Sequence, residues 1–142
     1  MYRWILDTNI IISGLFWAGN ESKLLKQAIS KQYEAVICEF VLQETKRIIK
    51  EKFTRFKNKT QPPLEILVNS VEKYPLLSEK EIIDFKQKHG KIITDKSDLI
   101  ILATSYKAEV DAIITGDKHF YNPKIKKIIK VIDAKEALKK LL

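Results

Sequence analysis

Cysteine, glycine and proline are all scarce in this chain: one, four and four residues among 142. With Cys38 alone, no disulfide framework can form within the chain, and no thiolate cage for zinc is available. His89 and His119 stand apart in the sequence, so they supply no zinc spacing either. The few glycines and prolines exclude a collagen-like or low-complexity segment, and no internal repeat is visible. No apolar run approaches the roughly 20 residues needed to span a bilayer. The opening Met1-Tyr2-Arg3-Trp4-Ile5-Leu6-Asp7 lacks the long apolar stretch and cleavage site of a signal peptide. A cytoplasmic protein without a membrane partner is therefore expected.

What is present is a hydrophobic fraction of 45% and a charged fraction of 31%, the balance of a folded protein. The length predicts one domain over 1–142, large enough for a core without staples. The net charge is +8, which favours polyanionic partners, chiefly nucleic acid. Lys46, Arg47, Lys50, Lys52, Arg55, Lys57 and Lys59 fall in one stretch opposed only by Glu51. Within it, Arg55, Lys57 and Lys59 are candidates for holding an RNA backbone. Lys124, Lys126, Lys127 and Lys130 form a second cluster. Either cluster also suits an ordinary solvated face.

Four short, β-branched runs read as buried strands: Tyr2–Leu6, Glu34–Cys38, Asp111–Thr115 and Ile128–Ile132. Between them lie helical patterns at Ser22–Lys31, Phe40–Phe53, Glu79–Lys88 and Asp98–Lys107, the last almost wholly apolar. Lys73–Leu77 reads as a further strand that Pro75 confines to an edge. Thr54–Pro63 reads as a mobile loop between helices. Strands separated by helices imply right-handed crossovers and a mostly parallel sheet. The expected fold class is α/β, a three-layer α/β/α arrangement.

In such a sheet, ligands bind beyond the carboxyl ends of the strands. Asp7 follows the first strand, and Asp117 follows the third run after Thr115-Gly116. Asp98 opens the apolar helix, and Glu44 lies one turn into the helix leaving the second strand. Carboxylates gathered at one edge repel unless a cation sits among them, and Mg²⁺ or Mn²⁺ suits an all-oxygen donor set. Such ions activate water for in-line attack on a phosphodiester. Each acid also has a plainer reading. Asp7 can cap a helix together with Asn9, Glu44 can be a surface glutamate, Asp98 a first-turn charge behind an Asp95 cap, and Asp117 a turn cap. Asp133-Ala-Lys-Glu136 reads as a capping box for the last helix and is left out of the site.

The motifs resemble those of the PIN domain family. Asp7-Thr8-Asn9, continued by Ile10 to Gly14 and Ser22-Lys-Leu-Leu25, is similar to the first motif. Asp95-Lys-Ser-Asp98-Leu-Ile-Ile-Leu-Ala103 resembles the third, and Asp111-Ala-Ile-Ile-Thr115-Gly-Asp117-Lys-His119-Phe120 the fourth. The resemblance runs from Arg3 to about Ile132. It implies a parallel-sheet ribonuclease whose catalytic and metal-binding acids are Asp7, Glu44, Asp98 and Asp117, using Mg²⁺ or Mn²⁺. Asn9 and Thr115 would orient those acids by hydrogen bonds. Many single-domain members of this size look like VapC-type toxins, so the resemblance implies an RNA substrate, a small antitoxin protein as partner, and a homodimer. Cys38 departs from the pattern, standing where a Ser or Thr usually caps the helix bearing Glu44.

Two rival readings remain open. A non-catalytic member would bind RNA or a partner with the cluster vestigial. An aspartate-nucleophile phosphatase would also place an acid after its first strand. It wants a second acid two residues on, where Asn9 stands.

Overall fold

The computed structural model describes residues 1–53, 55, 63–93 and 95–142. Among these, the apolar runs form five strands: β1 (Arg3–Leu6), β2 (Glu34–Cys38), β3 (Glu72–Tyr74), β4 (Ala112–Ile114) and β5 (Lys130–Ile132). They pair side by side in the order β3-β2-β1-β4-β5, and every pairing is parallel. The central strands are buried on both faces, which is why they read as continuous apolar runs and not as alternating ones. At the edge, β3 stops one residue before Pro75, which has no N–H to offer a neighbour. The edge strand is thus shorter than the expected run to Leu77, and starts one residue earlier.

The helices are α1 (Thr8–Phe16), α2 (Asn20–Ile29), α3 (Glu39–Lys52), α4 (Leu64–Ser70), α5 (Glu79–His89), α6 (Lys96–Lys107), α7 (Pro123–Lys126) and α8 (Ala134–Lys140). The chain steps outward from β1 through β2 to β3, then crosses back to β4 and on to β5. Right-handed crossovers then put α1 to α4 on one face of the sheet and α5 to α7 on the other. The packing of α1 on α2 and α3, of α2 on α4, and of α5 on α6 follows that division. The last helix, α8, returns to α2. Helices cover both faces, giving the α/β/α layering expected. One continuous hydrophobic core runs through the layers. The contact between α3 and α6 joins helices from opposite faces, so it falls beyond the strand ends.

The first helix was legible in the sequence only through the reading of Asp7 as a helix cap, since the helical patterns assigned there leave the isoleucines that follow without an element. Three consecutive β-branched residues cost a few tenths of a kcal/mol each in helix propensity. Burying each isoleucine stabilises by about 1.5–3 kcal/mol, and Ile10, Ile11 and Ile12 are all buried. Packing therefore outweighs propensity. Gly14 lets α1 approach α2: a Cβ there would stand 2.6 Å from Leu25 Cδ1 and 2.8 Å from the Glu21 carbonyl oxygen.

Two short helices, α4 and α7, were likewise not expected. The α7 turn is set locally, with Pro123 in its first turn and the Asn122 side chain accepting the Ile125 N–H at 2.9 Å. At α6 the Asp95 cap forms as read, accepting the Asp98 N–H at 2.9 Å, so the helix begins at Lys96. Asp133 caps α8 by accepting the Glu136 N–H at 2.8 Å. The expected Thr54–Pro63 loop lies, apart from Arg55 and Pro63, outside the described residues.

Candidate active site

The order of the sheet puts β1 beside β4, and the chain leaves these two strands toward opposite faces. A crevice opens at such a switch point, beyond the carboxyl ends. Asp7 ends β1 there, buried, with two hydrogen bonds fixing its carboxylate. Oδ1 accepts the Thr8 N–H at 2.7 Å, which caps α1, and Oδ2 accepts the Thr115 hydroxyl at 2.7 Å. The plain capping reading of Asp7 is therefore correct as far as it goes. Capping occupies one oxygen, and a surface turn would not bury the group.

Burial raises the Asp7 pKa to about 6, against the pull of those two hydrogen bonds. The neighbouring charges of Asp117 and Asp98 push it the same way. Asp98, in the first turn of α6, is also buried, and burial again raises its pKa. Asp117 follows β4 and caps a 3-10 turn (Lys118–Phe120), accepting the His119 N–H at 2.9 Å. Its own N–H donates to Thr115 Oγ1 at 3.0 Å. One buried hydroxyl thus serves Asp7 and Asp117 together.

Glu44 comes from α3, half-buried, and accepts a hydrogen bond from the Thr8 hydroxyl. Its position beside Thr8 rests on the α1–α3 packing. Thr8, buried under the acids, had no role in the sequence reading, although it sits inside the first motif. Cys38 occupies the N-cap position of α3 and makes no capping hydrogen bond with its side chain, as a thiol in place of Ser or Thr would predict. Asn9 sits exposed on the first turn of α1, and among the described residues no hydrogen bond joins its side chain to the acids. Thr115 does bond them. Arg55 is exposed beyond the end of α3, while Lys57 and Lys59 lie outside the described residues.

His119 is the residue that spacing along the chain set aside. Its Nδ1 stands 3.1 Å from Asp98 Oδ2 and 3.6 Å from Asp117 Oδ1. The imidazole is exposed, and the hydrogen bond to Asp98 raises its pKa, helped by the charge of Asp117. The signal available was local: His119 lies two residues after Asp117, on the same strand-end turn. Its other partner, Asp98, is on a different element.

A hard divalent cation fits these side chains. Ligand atoms of Asp98, Asp117 and His119 lie within 4.8 Å of one another. Arg3, Arg47, Lys80 and Lys107 form their ion pairs with other acids, away from Asp7, Asp98 and Asp117. Partly buried carboxylates gathered around a single imidazole are the condition that a bound cation relieves.

Acids converging past the carboxyl ends of β1 and β4 define an α/β/α protein with an acid-lined crevice. The PIN domain model matches residues 3–119, and the chain belongs to the PIN domain family. Such domains are generally nucleases. Among solved structures, the chain is similar to VapBC2 from Rickettsia felis, solved bound to a DNA fragment from its promoter. That match has TM-score 0.63 and 17% identity, and covers 92% of this chain and 98% of the other. PAE2754 from Pyrobaculum aerophilum has TM-score 0.62 at 11% identity, covering 99% and 89%. FitAcB from Neisseria gonorrhoeae has TM-score 0.60 at 16% identity, covering 92% and 97%. At these identities the likeness is one of fold. No curated protein matches the sequence.

Proposed function

We infer that this PIN domain is an endoribonuclease that depends on Mg²⁺ or Mn²⁺, with Asp7, Glu44, Asp98 and Asp117 as its catalytic and metal-holding acids. The observation that carries this reading is the convergence of Asp7, Asp98 and Asp117 in one partly buried cluster, where burial and the neighbouring carboxylates raise the pKa of Asp7 and Asp98. Asp7, Glu44, Asp98 and Asp117 would hold a divalent ion, which would supply activation of a water and polarisation of the scissile phosphodiester. The residues supply its seat. Thr115 and the Thr8 N–H fix Asp7 in one orientation, and Thr8 holds Glu44 through its hydroxyl. The net charge of +8 draws the RNA backbone toward an otherwise acidic cleft, with Arg55, Lys57 and Lys59 among the residues that would hold it.

The likeness in fold to VapBC2 and FitAcB supports a toxin role with a small antitoxin protein as partner; a homodimer as the working form and the cytoplasm as its place belong to the same proposal and rest on the sequence reading. No helix among the described residues is long and apolar enough to cross a membrane.

The test is cleavage of single-stranded RNA by the purified chain in Mg²⁺ or Mn²⁺, with and without EDTA. Wild type should cut only with metal. Asp7→Asn, Asp98→Asn and Asp117→Asn should each lose on the order of 100-fold or more in rate. Cutting by Asp7→Asn at the wild-type rate would sink the assignment.

A further inference from the structure

We propose that His119 is a direct nitrogen ligand of the cation at this site, and that it makes the site select Mn²⁺ or a similar first-row ion over Mg²⁺. The inference rests on the cation in the reading above, and not on RNA being the substrate.

The spacing of the ligand atoms carries it. On an octahedral ion with bonds of about 2.1 Å, neighbouring ligand atoms stand about 3 Å apart and opposite ones about 4.2 Å. His119 Nδ1 is 3.1 Å from Asp98 Oδ2 and 3.6 Å from Asp117 Oδ1, and one atom from each of the three residues lies within 4.8 Å of the others. The two distances to His119 are those of neighbouring corners, and with the three ligand atoms within 4.8 Å a small closing of the carboxylates would seat all three on one ion.

The turn that presents the imidazole is pinned on both sides. The His119 N–H is held by Asp117 Oδ1 at 2.9 Å, and the next side chain, Phe120, is wholly buried. Two residues on, the Tyr121 hydroxyl donates to the Thr115 carbonyl at 2.7 Å. The backbone therefore keeps the ring above the acids. The ring itself is exposed, and the acids are the only polar side chains recorded against it among the described residues.

Donor chemistry then decides the ion. Mg²⁺ strongly prefers oxygen and dehydrates reluctantly, whereas Mn²⁺ and its later neighbours accept imidazole more readily. A site with one imidazole among carboxylates should discriminate in favour of the latter.

The experiment loads untagged protein with Mn²⁺ alone and records pulsed electron paramagnetic resonance. A nitrogen bonded to the ion produces a characteristic modulation. Only two histidines exist, and His89 is packed between Phe85 and Tyr106, with ring centroids 4.5 and 4.9 Å away. We expect the imidazole signal in wild type and its loss in His119→Gln. The same variant should lose about 10-fold in Mn²⁺ affinity and less than about twofold in Mg²⁺ affinity. Mn²⁺ bound without nitrogen modulation, or an equal loss of both ions, overturns the proposal; His119 would then only position Asp98, and the nuclease reading would stand. Failure of wild type to bind Mn²⁺ overturns this proposal and the cation reading together. If the variant does not fold, the wild-type spectrum alone decides.

Discussion

The Thr115 hydroxyl donates to Asp7 Oδ2 at 2.7 Å, joining residues 108 positions apart at the ends of adjacent strands. Thr115→Val keeps the shape and removes the donor, leaving a buried carboxylate oxygen short of a partner. An unsatisfied buried group of this kind costs about 1–3 kcal/mol. Urea unfolding should show that loss, Thr115→Ser should restore most of it, and Mn²⁺ affinity should follow the same pattern. A valine variant as stable as wild type would mean that water replaces the hydroxyl.

The metal-free protein should be more stable at pH 5 than at pH 8. Folded Asp7 titrates at about 6, above an ordinary carboxylate, so between about pH 4 and 6 the folded chain holds a proton that the unfolded chain has released. Stability falls as pH rises through that window, by roughly 3 kcal/mol at most. Asp98, raised by burial, acts in the same sense. His119, raised by Asp98, extends the loss above about pH 6.5. Glu81 works oppositely: Lys107 holds it down to about 2, so its contribution is lost only in stronger acid. Thermal melts in EDTA across this range test the sign. Asp7→Asn should flatten the slope, and an unchanged slope would assign it to other groups.

At the other end of the sheet, Arg3 ties three strands together. Its guanidinium donates to Glu34 Oε1 at 2.5 Å and to both Glu72 oxygens at 2.8 and 2.9 Å, and its Nε donates to the Ala108 carbonyl at 3.1 Å. The glutamates are about half exposed, which discounts the electrostatic gain. Arg3→Met should cost about 1 kcal/mol in low salt, with the difference shrinking in 1 M salt. RNA cleavage per folded molecule should not change, because the acids sit at the opposite strand ends. A fall in turnover at full folding would show coupling along β1.

Replacing Arg55, Lys57 and Lys59 together with Gln tests the basic stretch. If each neutralises one phosphate of a single strand, the salt slope of RNA affinity should fall by about two units. Binding by the cleavage-dead Asp7→Asn background, measured over a salt series, gives the slope. No change would make these residues solvated surface.

The sequence alone determined the strand runs, the α/β class and the acids that follow strand ends or open a helix, because those follow from local signals: apolar runs, the turns that end them, and caps such as Asp95 and Asp133 that bond residues three positions away. It left α1 without a helical pattern beyond its Asp7 cap, because burial of Ile10 to Ile12 overrides their helix propensity. Tertiary structure alone decided that β1 lies between β2 and β4, and with that order which side chains share the crevice. Thr8 meets Glu44 only because α1 packs on α3, and His119 meets Asp98 only because α6 starts above the end of β4. Along the chain both pairs are separated by whole elements. Hydrophobic periodicity records which face of each element is buried, but not which neighbour buries it, so the contacts that assemble the site have no local signature.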